Sequence, residues 1–271
     1  MSADPVHDLP VLADLLREVA SDEILARFGA VASQHKADGS LVTAADLAVQ
    51  QRLGDALAAR YPTIPLLGEE MERAEQVRLL GAGDAAVWCL DPLDGTSNFA
   101  CGYPGFAISL ALVRGGRVDL GLVLDPVRDD CFSACRGGGA TLNGAPIAPF
   151  APHDRLGECI AAVDLKRVPP ARIADLFAPG SFRSQRNLGS VALDWCWLAA
   201  GRFQLYLHGG QGLWDYAAGR LIAQEAGAAS HLFPRGSAVP SDAIDLDKRV
   251  AVGAATPALL TRWLALIQLP F

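Results

Sequence analysis

Residues 88–106 read WCLDPLDGTSNFACGYPGF, where an apolar run ends in two acids, Asp91 and Asp94. Pro92 lies between them and disfavours the helical conformation at Asp91, so the backbone is predicted to stay extended up to the first acid. The turn that follows can aim both carboxylates and the carbonyl oxygen of Leu93 to the same side. This stretch predicts a site that holds two acids on a stiff piece of backbone at the end of a buried strand.

Further acids follow other predicted strands. Glu69 and Glu70 come shortly after the apolar run IPLL, and Asp215 opens a helix after a third extended run. In α/β folds the side chains at strand ends point into a shared crevice, where several carboxylates repel one another unless a cation lies among them. Oxygen donors without Cys or His favour Mg²⁺ over zinc. The pattern therefore predicts a magnesium site.

A phosphate-binding position beside this site is also predicted. If a helix begins near Thr96, its free backbone N–H groups can bind phosphate, and Gly95 lets the backbone approach a ligand closely. The chain thus has acids that can bind metal, a helix N-terminus that can bind phosphate and a hydroxyl that can hold water. Together they indicate metal-assisted hydrolysis of a phosphate ester. Each piece alone has a structural explanation, such as Asp215 as a helix N-cap and Glu69-Glu70 as a solvated loop. Their conjunction favours the catalytic interpretation.

The composition narrows the class of protein. The chain has 271 residues, 51% of them hydrophobic and 20% charged, which suits one large domain or two small ones. A net charge of −7 without any Lys/Arg run argues against a general nucleic-acid binder. The six cysteines form no Cys-x-x-Cys pair, the N-terminus lacks signal-peptide features, and no apolar run approaches the ~20 residues of a membrane span. We therefore expect a cytoplasmic protein.

Apolar spacing predicts a mixed chain of helices and strands. A helix is predicted over residues 8–29, and a second helix from the N-cap Thr43 to about Arg60, after a turn at 38–40. The runs IPLL and AAVWCLD are predicted strands, the second of which ends at Asp91.

The remaining segments continue the alternation. Residues 106–144 are rich in predicted strands, and the polar, proline-bearing segment 149–157 is a candidate boundary. Beyond it, Ser190 is a predicted N-cap for a helix, and HGGQG is a predicted glycine turn into the helix that bears Asp215. We expect one catalytic unit of two halves, an N-terminal α+β half with most of the acids at 1–150 and a C-terminal α/β half at 151–271.

Three motifs resemble the signatures of the inositol monophosphatase family: GEE at 68–70, DPLDGTSNF at 91–99 and WDYAAGRLIAQEAG at 214–227. Further matching segments, which extend the resemblance over nearly the whole chain in the right order, are DGSLVTAAD, GATLNG and LGSVALDWCWLAAGRF. The resemblance implies the layered αβαβα sandwich of the inositol monophosphatase and fructose-1,6-bisphosphatase type. It also implies a Mg²⁺-dependent, lithium-sensitive phosphatase that forms a homodimer.

The resemblance assigns roles to individual residues. It implies two or three Mg²⁺ ions, held by these ligands: Glu69, Asp91, Asp94, Asp215 and the Leu93 carbonyl. Glu69 and Thr96 would orient the attacking water, and the backbone amides of Gly95 and Thr96 would hold the phosphate. Glu70 and Asp46 would assist a further metal or its waters, and Asp46 is counted with the catalytic residues.

One position departs from the family's pattern. The family's GRFDGFWE ends in a Glu that binds a substrate hydroxyl, whereas this chain reads GRFQLYLH and has His208 there. A charged imidazole donates two hydrogen bonds, so His208 with Arg186 on the same side would favour a substrate with a second anionic group. Alternatively, His208 packs over the glycine-rich turn and ring specificity is relaxed. Asp94 is the other residue expected to contact the substrate.

The function that we predict is a Mg²⁺-dependent phosphomonoesterase acting on a small polyol or sugar phosphate, like an inositol-1-monophosphatase. Alternatives within the same chemistry are a 3′(2′),5′-bisphosphate nucleotidase, a fructose-1,6-bisphosphatase and a histidinol phosphatase. A non-catalytic regulator on the same scaffold is an alternative of a different class, but it would be free to lose the ligands that this chain keeps. The expected partner is a small phosphorylated substrate, with no nucleic acid and no membrane.

Overall fold

The computed structural model describes residues 4–29, 33–35, 41–81, 83 and 85–271. The turn predicted at 38–40 lies outside these residues. The first elements are α1 (Leu9–Val19), β1 (Ser33–His35), β2 (Leu41–Thr43) and α2 (Ala44–Arg60). The predicted first helix begins as expected, but after α1 the chain continues as a π-helical turn and a 3₁₀ turn. The predicted second helix is confirmed, because Thr43 caps α2 through a capping box and α2 ends at Arg60.

In the described part of the chain, seven strands form the first sheet. These are β3 (Leu66–Gly68), β4 (Val87–Asp94), β5 (Ala107–Arg114), β6 (Arg117–Asp125), β7 (Asp130–Cys135), β8 (Ala140–Leu142) and β9 (Ala145–Pro146). They are arranged in sequence order, with β3 parallel to β4 and every later neighbour antiparallel. The helices α3 (Arg73–Leu80) and α4 (Thr96–Cys101) connect strands of this sheet. The strand-rich stretch predicted from the sequence is confirmed.

The second sheet comes from the second half of the chain. Its strands are β10 (Ile160–Asp164), β11 (Ser184–Arg186), β12 (Leu205–Gln211), β13 (Ala229–Pro234) and β14 (Arg249–Ala254). Their order is β11-β10-β12-β14-β13, with β10 parallel to β11 and β12, and β14 antiparallel to β12 and β13. The accompanying helices are α5 (Pro170–Leu176), α6 (Val191–Ala199), α7 (Leu213–Ala226) and α8 (Pro257–Ile267).

The elements stack in five layers. One apolar core joins α1 and α2 to one face of the first sheet, a second places α6 and α7 between the two sheets, and a third joins α5 and α8 to the outer face of the second sheet. The predicted αβαβα sandwich is therefore confirmed. The two sheets use residues on either side of the predicted boundary at 150. That the two halves, 1–150 and 151–271, form one catalytic unit stays a prediction.

Two further features concern the cysteines and membrane-spanning helices. All six cysteines are free thiols, and four of them are buried, which is typical of cysteines that pack as small apolar residues. Within the described ranges, no helix is both long and apolar enough to cross a membrane.

Candidate active site

Three carboxylates meet where the two halves of the chain come together. Glu69 follows β3, Asp91 lies on β4, and Asp215 occupies the first turn of α7. One carboxylate oxygen from each lies within 4.8 Å of the others. The sequence predicted this grouping, and the structure brings the three residues together.

Strand β4 is irregular between the two aspartates of the DPLD motif. It does not end at Asp91 as predicted but runs on to Asp94, and its register against β5 shifts between them, with Asp91 opposite Ser109 and Asp94 opposite Ala107. Three residues apart on a regular strand, the two acids would point to opposite faces. The extra residue in β4 is a bulge, and both acids consequently line one cavity.

The electrostatics of this cluster favour a bound cation. Burial raises the pKa of Asp91 well above its ordinary value, and the neighbouring charge of Glu69 raises it further. Asp215 shows the same shift from the same two causes, although its bond from the backbone N–H of Gly212 opposes it. Carboxylates whose ionised form is this strongly disfavoured are suited to hold a divalent cation, which removes the repulsion.

Asp94 connects β4 to the start of α6. Its Oδ2 accepts hydrogen bonds from Ser190 Oγ at 2.6 Å and from the backbone N of Ala192 at 2.7 Å. Burial raises the pKa of Asp94 to about 6, while these bonds act to lower it. Ser190 is the N-cap of α6 as predicted, but its contact with Asp94 was not foreseen, because the two residues are far apart in the sequence.

The hydroxyl of Thr96 is fixed from behind. Its Oγ1 lies 3.2 Å from Asp46 Oδ1 and 3.0 Å from the carbonyl oxygen of Leu93. The other Asp46 oxygen accepts from the hydroxyl and the backbone N of Thr43, at 2.6 and 2.8 Å. Burial raises the pKa of Asp46. Asp46 is therefore placed to position Thr96, and it does not line the cavity into which the metal ligands point.

The GEE loop is held by two glutamines that the sequence analysis did not single out. Gln76 Nε2 donates to the carbonyl oxygen of Gly68 at 2.9 Å, and Gln50 Oε1 accepts from the backbone N of Glu70 at 3.1 Å. Glu69 lines the cavity, whereas Glu70 is not among its lining residues. The role expected for Glu70 toward a further metal stays a prediction.

The cavity has a volume of about 320 Å³, which is in the size range of small-ligand sites, roughly 300–1,000 Å³. Lining residues that were predicted are Glu69, Asp91, Leu93, Asp94, Gly95, Thr96, His208 and Asp215. Charged lining residues that were not predicted are Asp164, Lys166, Arg167, Asp194 and Lys248. The predicted ligands thus share one space with a second group of charges.

His208 lines this cavity as a neutral imidazole. Its Nδ1 accepts from the backbone N of Gly210 at 3.3 Å, and its Nε2 donates to Asp164 Oδ2 at 3.1 Å. Burial lowers the pKa of His208 more than the Asp164 carboxylate raises it. Both ring nitrogens are therefore engaged within the protein, which does not fit the expectation that a charged His208 donates two bonds to an anion.

Arg186 is not in the cavity. It lies exposed at the end of β11, and its Nη1 donates to Ser184 Oγ at 2.7 Å and to the carbonyl oxygen of Gln185 at 2.8 Å. The structure thus does not place Arg186 beside His208. The basic side chains that do line the cavity are Lys166, Arg167 and Lys248.

Asp194 is a polar residue that the sequence analysis missed. It is 5% exposed, it lines the cavity from α6, and its Oδ1 has no hydrogen-bond partner among the described residues. Burial raises its pKa well above the ordinary value. The signal in the sequence was an acid within the otherwise apolar helix VALDWCWLA. An unpartnered carboxylate in a ligand cavity is suited to contact a polar group of a bound molecule.

Comparison with known proteins places this geometry in context. A sequence profile described as the inositol monophosphatase family matches residues 9–268. The chain is 36% identical over 210 residues to Nus factor SuhB of Pseudomonas aeruginosa, covering 74% of this chain and 75% of that protein. It is also 36% identical over 201 residues to inositol monophosphatase 1 of Solanum lycopersicum, covering 71% of this chain and 72% of that protein.

A solved structure is also similar to this chain. The IMPase of Thermotoga maritima is similar with a TM-score of 0.81 and 28% sequence identity, covering 96% of each chain.

Proposed function

Because the chain belongs to the inositol monophosphatase family, we propose that it is a Mg²⁺-dependent phosphomonoesterase that hydrolyses a small polyol or sugar phosphate. The observation that carries this proposal is the meeting of Glu69, Asp91 and Asp215, with carboxylate oxygens within 4.8 Å of one another in a cavity of small-ligand size.

The donor set fits magnesium. Mg²⁺ binds hard oxygen ligands, and the cluster offers carboxylates with no thiolate or imidazole in it. We propose that two or three ions are held by Glu69, Asp91, Asp94, Asp215 and the Leu93 carbonyl. When bound, Mg²⁺ supplies Lewis-acid stabilisation of the phosphoryl oxygens and lowers the pKa of bound water.

Thr96 and Asp46 would orient the attacking water. The Thr96 hydroxyl can donate one hydrogen bond, and either of its two neighbouring acceptors, Asp46 Oδ1 or Leu93 O, can accept it. The lone pairs of Thr96 are then left to accept a hydrogen bond from water. Glu69, which lines the same cavity, would accept the proton that the water loses.

Phosphate would be held by the backbone N–H groups of Gly95 and Thr96. Gly95 has φ of 92°, a left-handed conformation that favours glycine. A Cβ at this position would also lie 2.8 Å from the carbonyl oxygen of Gly105. Both features explain why the turn after the two aspartates requires glycine, and both Gly95 and Thr96 line the cavity.

A polyol is supported by a buried polar group that lines the same cavity as the acid cluster. The Asp194 Oδ1 without a described partner offers a contact for a substrate hydroxyl. The other substrates considered from the sequence, a nucleoside bisphosphate, fructose 1,6-bisphosphate and histidinol phosphate, share the same reacting group and remain alternatives.

Phosphate release from a panel of esters tests the proposal. Inositol 1-phosphate, fructose 1,6-bisphosphate, histidinol phosphate and adenosine 3′,5′-bisphosphate are incubated with Mg²⁺, with EDTA, and with Mg²⁺ plus lithium. We expect Mg²⁺-dependent release from at least one ester, no release in EDTA, and inhibition by lithium. Equal release in EDTA and in Mg²⁺ would overturn the metal mechanism, and no release from any ester would overturn the phosphatase.

The relative named Nus factor SuhB raises a second candidate, a regulatory protein on this scaffold. A regulator without turnover has no need for several acids whose ionised forms are disfavoured by burial and by one another. We therefore rank catalysis first. A homodimer and a cytoplasmic location complete the proposal, and light scattering on the purified protein tests the first.

A further inference from the structure

One edge of the second sheet gathers basic side chains. Strands β10 and β12 are parallel, and β14 is antiparallel to both β12 and β13. The carboxyl ends of β10, β12 and β13 and the start of β14 therefore lie at the same edge. We call the four basic residues that follow or precede these strand ends the basic edge: Lys166, Arg167, Arg235 and Lys248.

Among the described residues, three members of the basic edge have no acid within ion-pair distance. Arg167 is bound to Asp164. Within the described residues, no acid lies within ion-pair distance of Lys166, Arg235 or Lys248, and all three side chains are exposed. The acids next to these four basic residues in the chain are Asp164 and Asp247, so the group keeps two positive charges in excess.

Glycines bring the basic edge close to β12. A Cβ at Gly209 would lie 2.1 Å from the carbonyl oxygen of Arg167, so the turn after β10 can pack on β12 only because residue 209 has no side chain. A Cβ at Gly210 would lie 3.2 Å from Arg235 Nη2. Gly209 thus allows the turn that bears Arg167, one of the cavity-lining basic residues, to approach the end of β12.

The basic edge shares its space with the acid cluster. Lys166, Arg167 and Lys248 line the same cavity of about 320 Å³ as Glu69, Asp91 and Asp215. A molecule that occupies this cavity can therefore contact both carboxylates and basic side chains.

We propose that the basic edge binds a second anionic group of the substrate, so that the phosphate ester hydrolysed here carries a further phosphate or a carboxylate. This inference rests on the proposed phosphatase function. Lys166 and Lys248 are the specificity-determining residues, because they line the cavity and have no described acidic partner. An ester whose only anionic group is the phosphate held at the acid cluster would leave both ammonium groups without an anionic partner at ion-pair distance.

Matched substrates that differ by one anionic group test this inference. Fructose 1,6-bisphosphate is compared with fructose 1-phosphate for a second phosphate, and 3-phosphoglycerate with glycerol 3-phosphate for a carboxylate. The wild type is expected to prefer the doubly anionic member of at least one pair. The Lys166→Ala/Lys248→Ala double variant should lower kcat/KM for that substrate about tenfold, which corresponds to about 1.4 kcal/mol, and leave its singly anionic counterpart nearly unchanged.

Two control variants separate charge from folding. The charge-keeping variant Lys166→Arg/Lys248→Arg should retain most of the preference. Arg262→Ala removes a positive charge from α8, outside the cavity, and should leave the preference unchanged. Hydrolysis by the wild type without preference in either pair, or an equal loss for both members in the double alanine variant, would overturn the inference. Absence of hydrolysis of every ester would instead contradict the proposed function.

A second readout does not depend on turnover. The chain has only three lysines, at 36, 166 and 248, so lysine acetylation can be followed site by site by mass spectrometry. With Mg²⁺ present, the non-hydrolysable 1,4-butanediphosphonic acid should slow acetylation of Lys166 and Lys248 more than butylphosphonic acid does. Equal protection by the two compounds, or no protection by either, would contradict binding of a second anion at the basic edge.

Discussion

In the proposed mechanism Thr96 orients the attacking water, because its hydroxyl lies at 3.0 and 3.2 Å from two acceptors. Since the hydroxyl donates its one hydrogen bond to one of these acceptors, its oxygen can only accept a hydrogen bond from water. Thr96→Ala is therefore expected to lower kcat by about 10²-fold with little change in KM, as for a group that acts mainly in the transition state. Steady-state phosphate release measures both constants.

Thr96→Ser is the matched control, because it keeps the hydroxyl and should retain most of kcat. If Thr96→Ala raises KM and leaves kcat unchanged, Thr96 binds substrate and does not orient water.

Asp94 is expected to make the stability of the metal-free protein depend on pH. Burial raises the pKa of Asp94 from 3.8 to about 6 on folding. An acid whose pKa is raised in the folded state costs stability above that pKa, and the cost is lost as the pH falls through it toward the unfolded value. In EDTA, Asp94→Asn should therefore have a higher Tm than the wild type at pH 7.5, and the difference should shrink toward pH 5.

His208 acts in the opposite direction over part of this range. Its pKa is lowered by burial, so the folded state loses stability as the pH falls below the ordinary histidine range near about 6.5. Both proteins carry His208, so the difference between their melting temperatures removes its contribution. A difference that does not change between pH 7.5 and pH 5 would contradict the role assigned to Asp94.

At the residue scale, the sequence predicted the acids that the structure brings together, because each follows a recognisable strand or opens a helix. It missed Asp164, Lys166 and Lys248. No local pattern marks these residues, and they reach the cavity only through the order of strands in the second sheet. Arg186 was predicted to lie beside His208, and this prediction is wrong. The local sequence does not show which way the side chain of a strand residue points.

Among the elements, β4 and β12 decide the site, and both depart from the simplest interpretation of their sequences. The bulge in β4 turns Asp91 and Asp94 to one cavity. The segment HGGQ, predicted as a glycine turn, is the end of β12, with a register shift between His208 and Gln211. Its glycines serve a close approach from the turn after β10 and not a turn of their own, which a single segment of sequence does not reveal.

The contact between α7 and the first sheet also depends on a glycine. A Cβ at Gly121 on β6 would lie 2.8 Å from the backbone Cα and carbonyl oxygen of Ala218 on α7. Because backbone atoms cannot rotate away, Gly121→Ala is expected to destabilise the protein by about 1–3 kcal/mol. Urea denaturation followed by circular dichroism measures the change.

Gly54→Ala is the control for this substitution. Gly54 lies within α2, and a Cβ there would meet a side-chain methyl group of Leu66 at 3.3 Å and no backbone atom. Alanine in a helix interior favours folding by about 0.5–1 kcal/mol, so this variant should be neutral or more stable. A Gly121→Ala protein as stable as Gly54→Ala would show that α7 does not rest on β6 as described.

For the whole molecule, the five layers were predictable because the family motifs occur in the right order along nearly the whole chain. The distribution of charge in the cavity could not be predicted in this way. The acid cluster draws on both halves, with Asp91 from the first sheet and Asp215 from α7, while the basic edge belongs to the second sheet alone. Only the packing of the two sheets around α6 and α7 brings these charges into one cavity.

Asp215 lies where the two halves of the chain meet, so its substitution tests whether their packing forms the catalytic site. Asp215→Asn keeps the size of the side chain and can keep the hydrogen bond from the backbone N of Gly212, now at 2.8 Å. It removes one of the negative charges that a divalent cation needs. The variant should therefore fold normally and lose most of its affinity for Mg²⁺.

The decisive comparison is the initial rate of phosphate release by the wild type and by Asp215→Asn, at saturating Mg²⁺, on the ester that the wild type hydrolyses fastest. A variant with native circular dichroism and a rate lowered by at least about 10²-fold is the predicted result, in line with the loss of a group that stabilises the transition state. A natively folded Asp215→Asn that releases phosphate at the wild-type rate would show that the acid cluster is not where the ester is hydrolysed.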